Sequence, residues 1–369
     1  MEEFRSLVRR LILLLGAFTG ILLLIPLLLY LHKTKTPTFV VVDEPATVLN
    51  EWLPETILKE SPDVSPLVKK GFLFVSQTSQ EMGPLASQEA DRFSGNNLSC
   101  TNCHLNGGAL PGSASWVHIV DRFPQFGGRA NAIGTLEDRI NGCMERSMNG
   151  KKLAEDAPQM KAIIAYMDWL ESVFPKEIKT FKGYPAITIP TVAVDLEKGK
   201  SIYTKECTLC HGVEGQGVLR SDPNQGYEYP PLWGADSYND GAGMHRVITA
   251  AAFIKNNMPF GQATWQAPKL TDEEAFHVAG YINSFERPHK QNTEADYPDK
   301  KLKPVSTPYG PWADTFSPTQ HKYGPFPPII DFYLQSYSLK KNKIIFCCCV
   351  TFITDWGNRS DYICTSLYL

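Results

Sequence analysis

The chain has 369 residues, 43% of them apolar and 20% charged, with a formal net charge of −3. That composition supports folded domains rather than a disordered polymer, and the length allows two or three of them. A slightly acidic balance excludes a broad nucleic-acid-binding surface, while a local cationic pocket is compatible with it.

The first predicted element is apolar. Arg5, Arg9 and Arg10 precede an uncharged stretch over 11–31, and His32, Lys33 and Lys35 follow it. As a helix this stretch covers a bilayer core of about 30 Å. An uncleaved inner-membrane anchor is favoured over a cleaved signal peptide, because no Ala-X-Ala site follows the run. The expected layout is a cytoplasmic stub and transmembrane helix over 1–35, with everything beyond it outside the cytoplasm. Residues 36–61 read as a linker, punctuated by Pro37, Pro45 and Pro54 and lacking a sustained helical period.

The frame Cys-X-X-Cys-His then occurs twice, as Cys100, Cys103 and His104 and again as Cys207, Cys210 and His211. In such a frame two thiols form thioethers to one porphyrin and the adjoining His supplies an axial nitrogen to iron. Two covalently bound haem c groups are therefore expected. A zinc site would need four ligands per metal, and each frame offers three with no second pair nearby. Of the nine cysteines, four serve these frames and four lie near the C-terminus, which leaves Cys143 alone in the body.

Each frame sits in its own predicted domain. The first spans 62–180 and closes on an amphipathic helix that starts at Pro158 and runs through Ile163, Met167, Leu170 and Val173. Residues 181–191, with Gly183, Pro185 and Pro190, connect it to a second domain over 192–290. There, Thr271 and Glu274 form a capping box that opens a closing helix. Met258, followed by Pro259 and lying just before the closing helix, is the sixth iron ligand that the resemblance to class I cytochrome c, set out below, implies; as a neutral thioether donor it would favour reduced iron. Met244 is the rival, lacking the Pro and placed where a helix is expected.

The first domain has no Met-Pro pair. His118, Cys143, Met144 and Met148 are its candidates for the distal face of the iron. Cys143 lies between glycine-flanked turns at Gly142 and Gly150. A lone cysteine is ordinarily a buried small residue. An unpaired thiol outside the membrane is exposed to oxidation, however, and its presence beside a haem lacking a Met ligand points to use by the iron. A thiolate donor would lower the potential and leave two haems of unlike potential.

The order helix, Cys-X-X-Cys-His, loop, Met-Pro and capped helix resembles class I cytochrome c. The expected fold is mainly α, with two such domains behind the N-terminal anchor. The stretch from Gly128 through Arg129, Arg139, Cys143, Met144 and Ser147 to Gly150 is similar to the dihaem thiosulfate dehydrogenases, which also reduce tetrathionate. That resemblance covers roughly 62–290 and implies a His/Cys haem as active site, with Cys143 as ligand, Arg129, Arg139 and Ser147 at the substrate, and a His/Met haem passing electrons on. It implies a periplasmic enzyme interconverting thiosulfate and tetrathionate, with a c-type cytochrome or other redox protein as partner. Four negative charges meet when two thiosulfates join, and the planar fork of Arg is suited to offsetting them. Arg122 and Arg146 read instead as clamps or surface pairs. Two other readings stay open: a sulfur-oxidation cytochrome subunit that transfers thiosulfate to a carrier protein, and a plain dihaem electron carrier.

The remaining chain divides in two. Residues 291–335 are Pro-rich and read as an extended strap over the body. Residues 336–369, with Cys347, Cys348, Cys349 and Cys364, read as a non-native or disordered tail without a role.

Overall fold

The computed structural model describes residues 53–174 and 181–337, together with scattered residues between 4 and 24. The chain divides into two units, 1–48 and 49–369. In the first, residues 4–6, 8–10 and 13–16 are helical. Most of the expected anchor lies outside the described residues, and no helix among those described is long and apolar enough to cross a membrane. The transmembrane expectation thus gains no support. Residues 175–180, the linker before 53 and the tail beyond 337, with its four cysteines, also lie outside.

The second unit is mainly helical. The expected linker is not structureless to its end, because Pro54–Glu60 forms α1. Pro54 takes the opening turn, where its missing N–H costs nothing, and Leu58 buries itself in the first core. Next come α2 (Pro66–Ser76), capped by the Ser65 hydroxyl, and the short α3 (Thr78–Met82). An antiparallel hairpin pairs β1 (Gln125–Gly127) with β2 (Ala132–Gly134). Helix α4 (Leu136–Arg146) then opens on a capping box between Thr135 and Asp138. This corrects the turn expected around Gly142. Ile140 and Met144, one turn apart, are buried on the face of α4 turned to the core, and a helix with such a cap and stripe accommodates one glycine.

Helix α5 (Pro158–Val173) closes the domain where its periodicity predicts. Met160, Ile163, Met167 and Leu170 form its buried stripe, and each such side chain removed from water contributes roughly 2 kcal/mol. Against it lies α2, at a distance only glycine permits: a Cβ on Gly71 would stand 2.0 Å from the Ala162 carbonyl oxygen.

The second domain repeats this crossing. Helix α6 (Leu196–Glu206), capped by Asp195, leads into the short α7 (Thr208–His211), and α8 (Val247–Asn257) precedes α9 (Asp272–Ile282). A small pair, β3 (Val218–Leu219) with β4 (Tyr227–Tyr229), lies between. Helix α9 starts at the predicted capping box, with the Glu274 N–H donating to Thr271 Oγ1 at 3.2 Å and the Thr271 N–H to the Glu274 carboxylate at 2.9 Å. Gly199 in α6 meets the His277 carbonyl of α9, where a Cβ would be 2.3 Å from the oxygen.

The C-terminal segment is not extended throughout. It folds into α10 (Pro318–Tyr323) and α11 (Pro327–Tyr337), with Pro318 and Pro327 in the opening turns that tolerate them. Phe326, Ile329, Ile330 and Tyr333 enter the core of the second domain. That core also takes Leu105 from the loop after the first Cys-X-X-Cys-His frame. Polar bonds join the domains: Asn97 donates to Asp236, Asn239 to the Arg146 carbonyl and Asn257 to the Gly112 carbonyl.

Candidate active site and haem pockets

The two frames present their histidines in the same way. His104 Nδ1 lies 2.8 Å from the Ala114 carbonyl oxygen, and His211 Nδ1 lies 2.8 Å from that of Pro230. An N–H donated from Nδ1 fixes the tautomer and leaves Nε2 bare, as an iron-ligating imidazole requires. Burial also holds the His211 imidazole below its usual range, which keeps it neutral. The first frame begins in a 3₁₀ turn (Cys100–Asn102) closed by Ser99 and Asn102.

Cys100, Cys103 and His104 form one side of a cavity that, with the open space at its mouth, spans about 850 Å³. Apolar side chains, among them Leu98, Trp116, Ile140, Ile163 and Met167, make up most of the lining, and Arg139, Cys143, Met144, Ser147 and Met148 belong to it as well. An apolar chamber with two thiols, a bare imidazole nitrogen and further sulfur donors fits a covalently attached haem. A separate observation comes from the second domain, outside that lining. Arg246 is only 2% exposed, is paired with no carboxylate among the described residues, and leaves Nη2 without an acceptor. A buried guanidinium of that kind calls for an anionic group such as a haem propionate.

The thiols of the two frames differ from that of Cys143. Before any haem is attached, burial pushes the free thiol of Cys100 up to about 11, and those of Cys103 and Cys207 up to about 12. Burial raises Cys143 too, yet the Arg139 guanidinium, with His104 beside it, more than offsets this and brings the thiol down to about 6. Arg139 stands one turn before Cys143 on α4, and its Nη1 donates to Sγ at 3.1 Å. The C-cap of the same helix is Ser147, whose carbonyl accepts from Asn96 at 2.9 Å. One helix and its C-cap therefore bring Arg139, Cys143 and Ser147 to the wall of one chamber.

Arg129 is not part of that lining. It follows β1 in the hairpin, and its Nη1 donates to Asp296 Oδ2 at 2.6 Å, to Tyr309 Oη at 3.1 Å and to the Gly241 carbonyl at 3.2 Å. Arg146 pairs with the other oxygen of the same carboxylate at 2.8 Å. His118, a candidate distal ligand, faces Glu171 at 3.4 Å and is absent from the cavity wall. Met258 caps the C-terminus of α8 and packs against the second core. Met244 lies in a 3₁₀ turn (Gly243–His245), not in a helix, and reaches the wall of the first cavity together with Tyr238. Sequence reading overlooked Asp296, Tyr309 and Tyr238; only the Pro-rich setting of the first two marks their segment at all.

Residues 90–171 match the SoxA/TsdA cytochrome c domain and residues 196–286 the cytochrome c family. The thiosulfate dehydrogenase of Allochromatium vinosum is 37% identical over 270 residues, covering 72% of this chain and 91% of that protein. That of Stutzerimonas stutzeri is 41% identical over 201 residues, 54% of this chain. The chain spans 63% of the length of that relative and 61% of the one from Psychrobacter arcticus. The solved structure of thiosulfate dehydrogenase (TsdBA) from Marichromatium purpuratum, in its as-isolated form, superposes with a TM-score of 0.55 at 33% identity, covering 63% of this chain and 50% of that one.

Two cytochrome c domains, each with its own attachment frame, make this a dihaem cytochrome c that carries two covalently bound haem c groups with their irons. With the extent of its match to the A. vinosum protein, the chain belongs to the thiosulfate dehydrogenase family.

Proposed function

We propose that this cytochrome is a periplasmic oxidoreductase that interconverts thiosulfate and tetrathionate, 2 S₂O₃²⁻ ⇌ S₄O₆²⁻ + 2 e⁻. The observation that carries the reading is the convergence of Cys143, Arg139 and Ser147 from α4 on the cavity that also holds Cys100, Cys103 and His104. In this reading His104 and Cys143 would ligate the first iron, and His211 and Met258 the second. Each haem, when bound, takes up one electron at its iron, so two of them hold the pair released as one S–S bond forms. The chain's own residues supply the rest. Arg139 contributes a fixed positive charge beside the reacting sulfur, which lowers the repulsion between two dianions in a chamber of low dielectric. Arg129, on the hairpin before α4, is assigned to the sulfonate-like oxygens, and Ser147 to a hydrogen bond with them. A c-type cytochrome or other redox protein receives or supplies electrons at the second domain.

The test is tetrathionate formation by the purified holo-protein with thiosulfate and ferricyanide, run beside a Cys143→Ala variant of equal haem content. The expected loss in the variant is on the order of a hundredfold or more. Equal turnover by the two proteins would remove Cys143 from the mechanism, and an inactive wild type would remove the reaction.

A further inference from the structure

Asp296 lies in the C-terminal segment, far in sequence from both attachment frames, yet its carboxylate joins Arg129, on the hairpin before α4, to Arg146, the last residue of α4. Oδ2 accepts from Arg129 Nη1 at 2.6 Å and from the Tyr309 hydroxyl at 2.6 Å, and Oδ1 accepts from Arg146 Nη2 at 2.8 Å. The hold on Arg129 extends to its backbone. The Tyr297 N–H donates to the Arg129 carbonyl at 2.8 Å, and the Tyr297 ring lies 5.3 Å from the Arg129 guanidinium carbon. Tyr297 makes these contacts at φ +56°, a left-handed conformation that a bulky residue keeps only when its surroundings impose it.

The distribution of bonds on Arg129 is lopsided. Nη1 carries two hydrogens and faces three acceptors, Asp296, Tyr309 and the Gly241 carbonyl, so it is saturated. Nε and Nη2 have no acceptor among the described residues, and neither is among the sealed polar atoms without a partner. A guanidinium pinned at one corner offers its opposite edge, two parallel N–H donors, in a fixed direction. Such an edge matches two oxygens of a sulfonate-like group. Two arginines against one carboxylate also leave the cluster with surplus positive charge. The neighbouring guanidinium groups hold the Asp296 carboxyl ionised, its burial notwithstanding.

We infer that Asp296, together with Tyr309, is a positioning residue of the active site, fixing Arg129 through Nη1 so that its Nε–Nη2 edge receives the oxygens of thiosulfate or tetrathionate. This rests on the assignment of Arg129 to the substrate made above. The C-terminal segment thereby becomes part of the machinery that binds substrate.

The experiment compares holo-proteins carrying Asp296→Asn, Asp296→Glu and Tyr309→Phe with the wild type, in two readouts. One is KM and kcat in the thiosulfate–ferricyanide assay; the other is thiosulfate binding to the oxidised protein followed by the haem absorption spectrum. The expected result is a KM and a binding constant weakened about tenfold in Asp296→Asn and about threefold in Tyr309→Phe, with kcat within about twofold and partial recovery in Asp296→Glu. Because Asp296→Asn leaves two buried cations short of an anion and can fail to fold, Tyr309→Phe decides in that case. KM and binding within twofold of wild type in the variants that fold would overturn the inference. So would losses of kcat that track a falling melting temperature. Failure of the underlying reading shows differently: the wild type itself would not oxidise thiosulfate, or Cys143→Ala would match it, whatever happens at Asp296.

Discussion

A single ionisable side chain can set a protein's tolerance to acid, and His245 is placed to do so. It is buried, with Nδ1 2.8 Å from the Asp240 carbonyl oxygen. Burial first, then the Arg287 and Lys322 cations, hold its imidazole down at about 4, against the opposing pull of Asp240. The unfolded chain binds this proton near pH 6.5 and the folded chain resists it. The stabilisation is therefore complete above pH 6.5 and is lost as pH falls through 4, with a total on the order of 3 kcal/mol. Denaturant unfolding at a series of pH values between 7 and 4 should show a shallower slope in His245→Gln than in the wild type. At this scale the sequence is uneven in what it discloses. The attachment frames are contiguous and legible at a glance, since five adjacent residues carry the whole chemistry. The difference between Arg129 and Arg146 is not, because both meet a carboxylate that lies more than a hundred positions away. Nothing local marks Asp296 as their shared partner.

At the scale of elements, the two domains are built on one device, a glycine that lets an early helix touch a late one. Gly71 in α2 and Gly199 in α6 each face a carbonyl of the crossing helix at a distance that excludes a side chain. Neither has a positive φ, so the requirement is one of space alone. Gly71→Ala and Gly199→Ala should each destabilise the holo-protein by about 3 kcal/mol, measured by denaturant unfolding, because the added Cβ meets backbone that cannot step aside. An alanine at Gly142, which meets nothing within 4 Å, is the control and should be neutral or slightly stabilising. Helices α5 and α9 were legible from their periodicity and cap. The helix that carries Cys143 was not, because Gly142 reads as punctuation in isolation; the capping box of Thr135 and Asp138 outweighs it. Likewise the prolines of the C-terminal segment read as a signal for extension, whereas two of them sit in the opening turns of α10 and α11.

For the molecule as a whole, the functional reading sets two unlike sulfurs in charge of two haems. A thiolate at Cys143 should lower one potential and a thioether at Met258 should raise the other. A spectroscopic redox titration is expected to resolve two one-electron transitions in the wild type. In Cys143→Met the lower of them should move upward and the separation should narrow. Two superposed transitions in the wild type would contradict this assignment of ligands. The sequence disclosed that there are two domains and what each carries. It did not disclose how they share walls, since such contacts join residues with no local pattern.

That sharing limits how the chain can be divided. Tyr238 and Met244 come from the second domain and line the first cavity, while Leu105 comes from the first and is buried in the second core. Each half is thus an unfinished container until the other is seated. A gene fragment encoding only one half would yield a leaky vessel, with an apolar chamber open to water on the side its neighbour should close. Duplication or exchange of one half would have to carry the matching surface of the other with it. The modular look of the sequence, two frames in two tidy blocks, conceals a pair that must be inherited together.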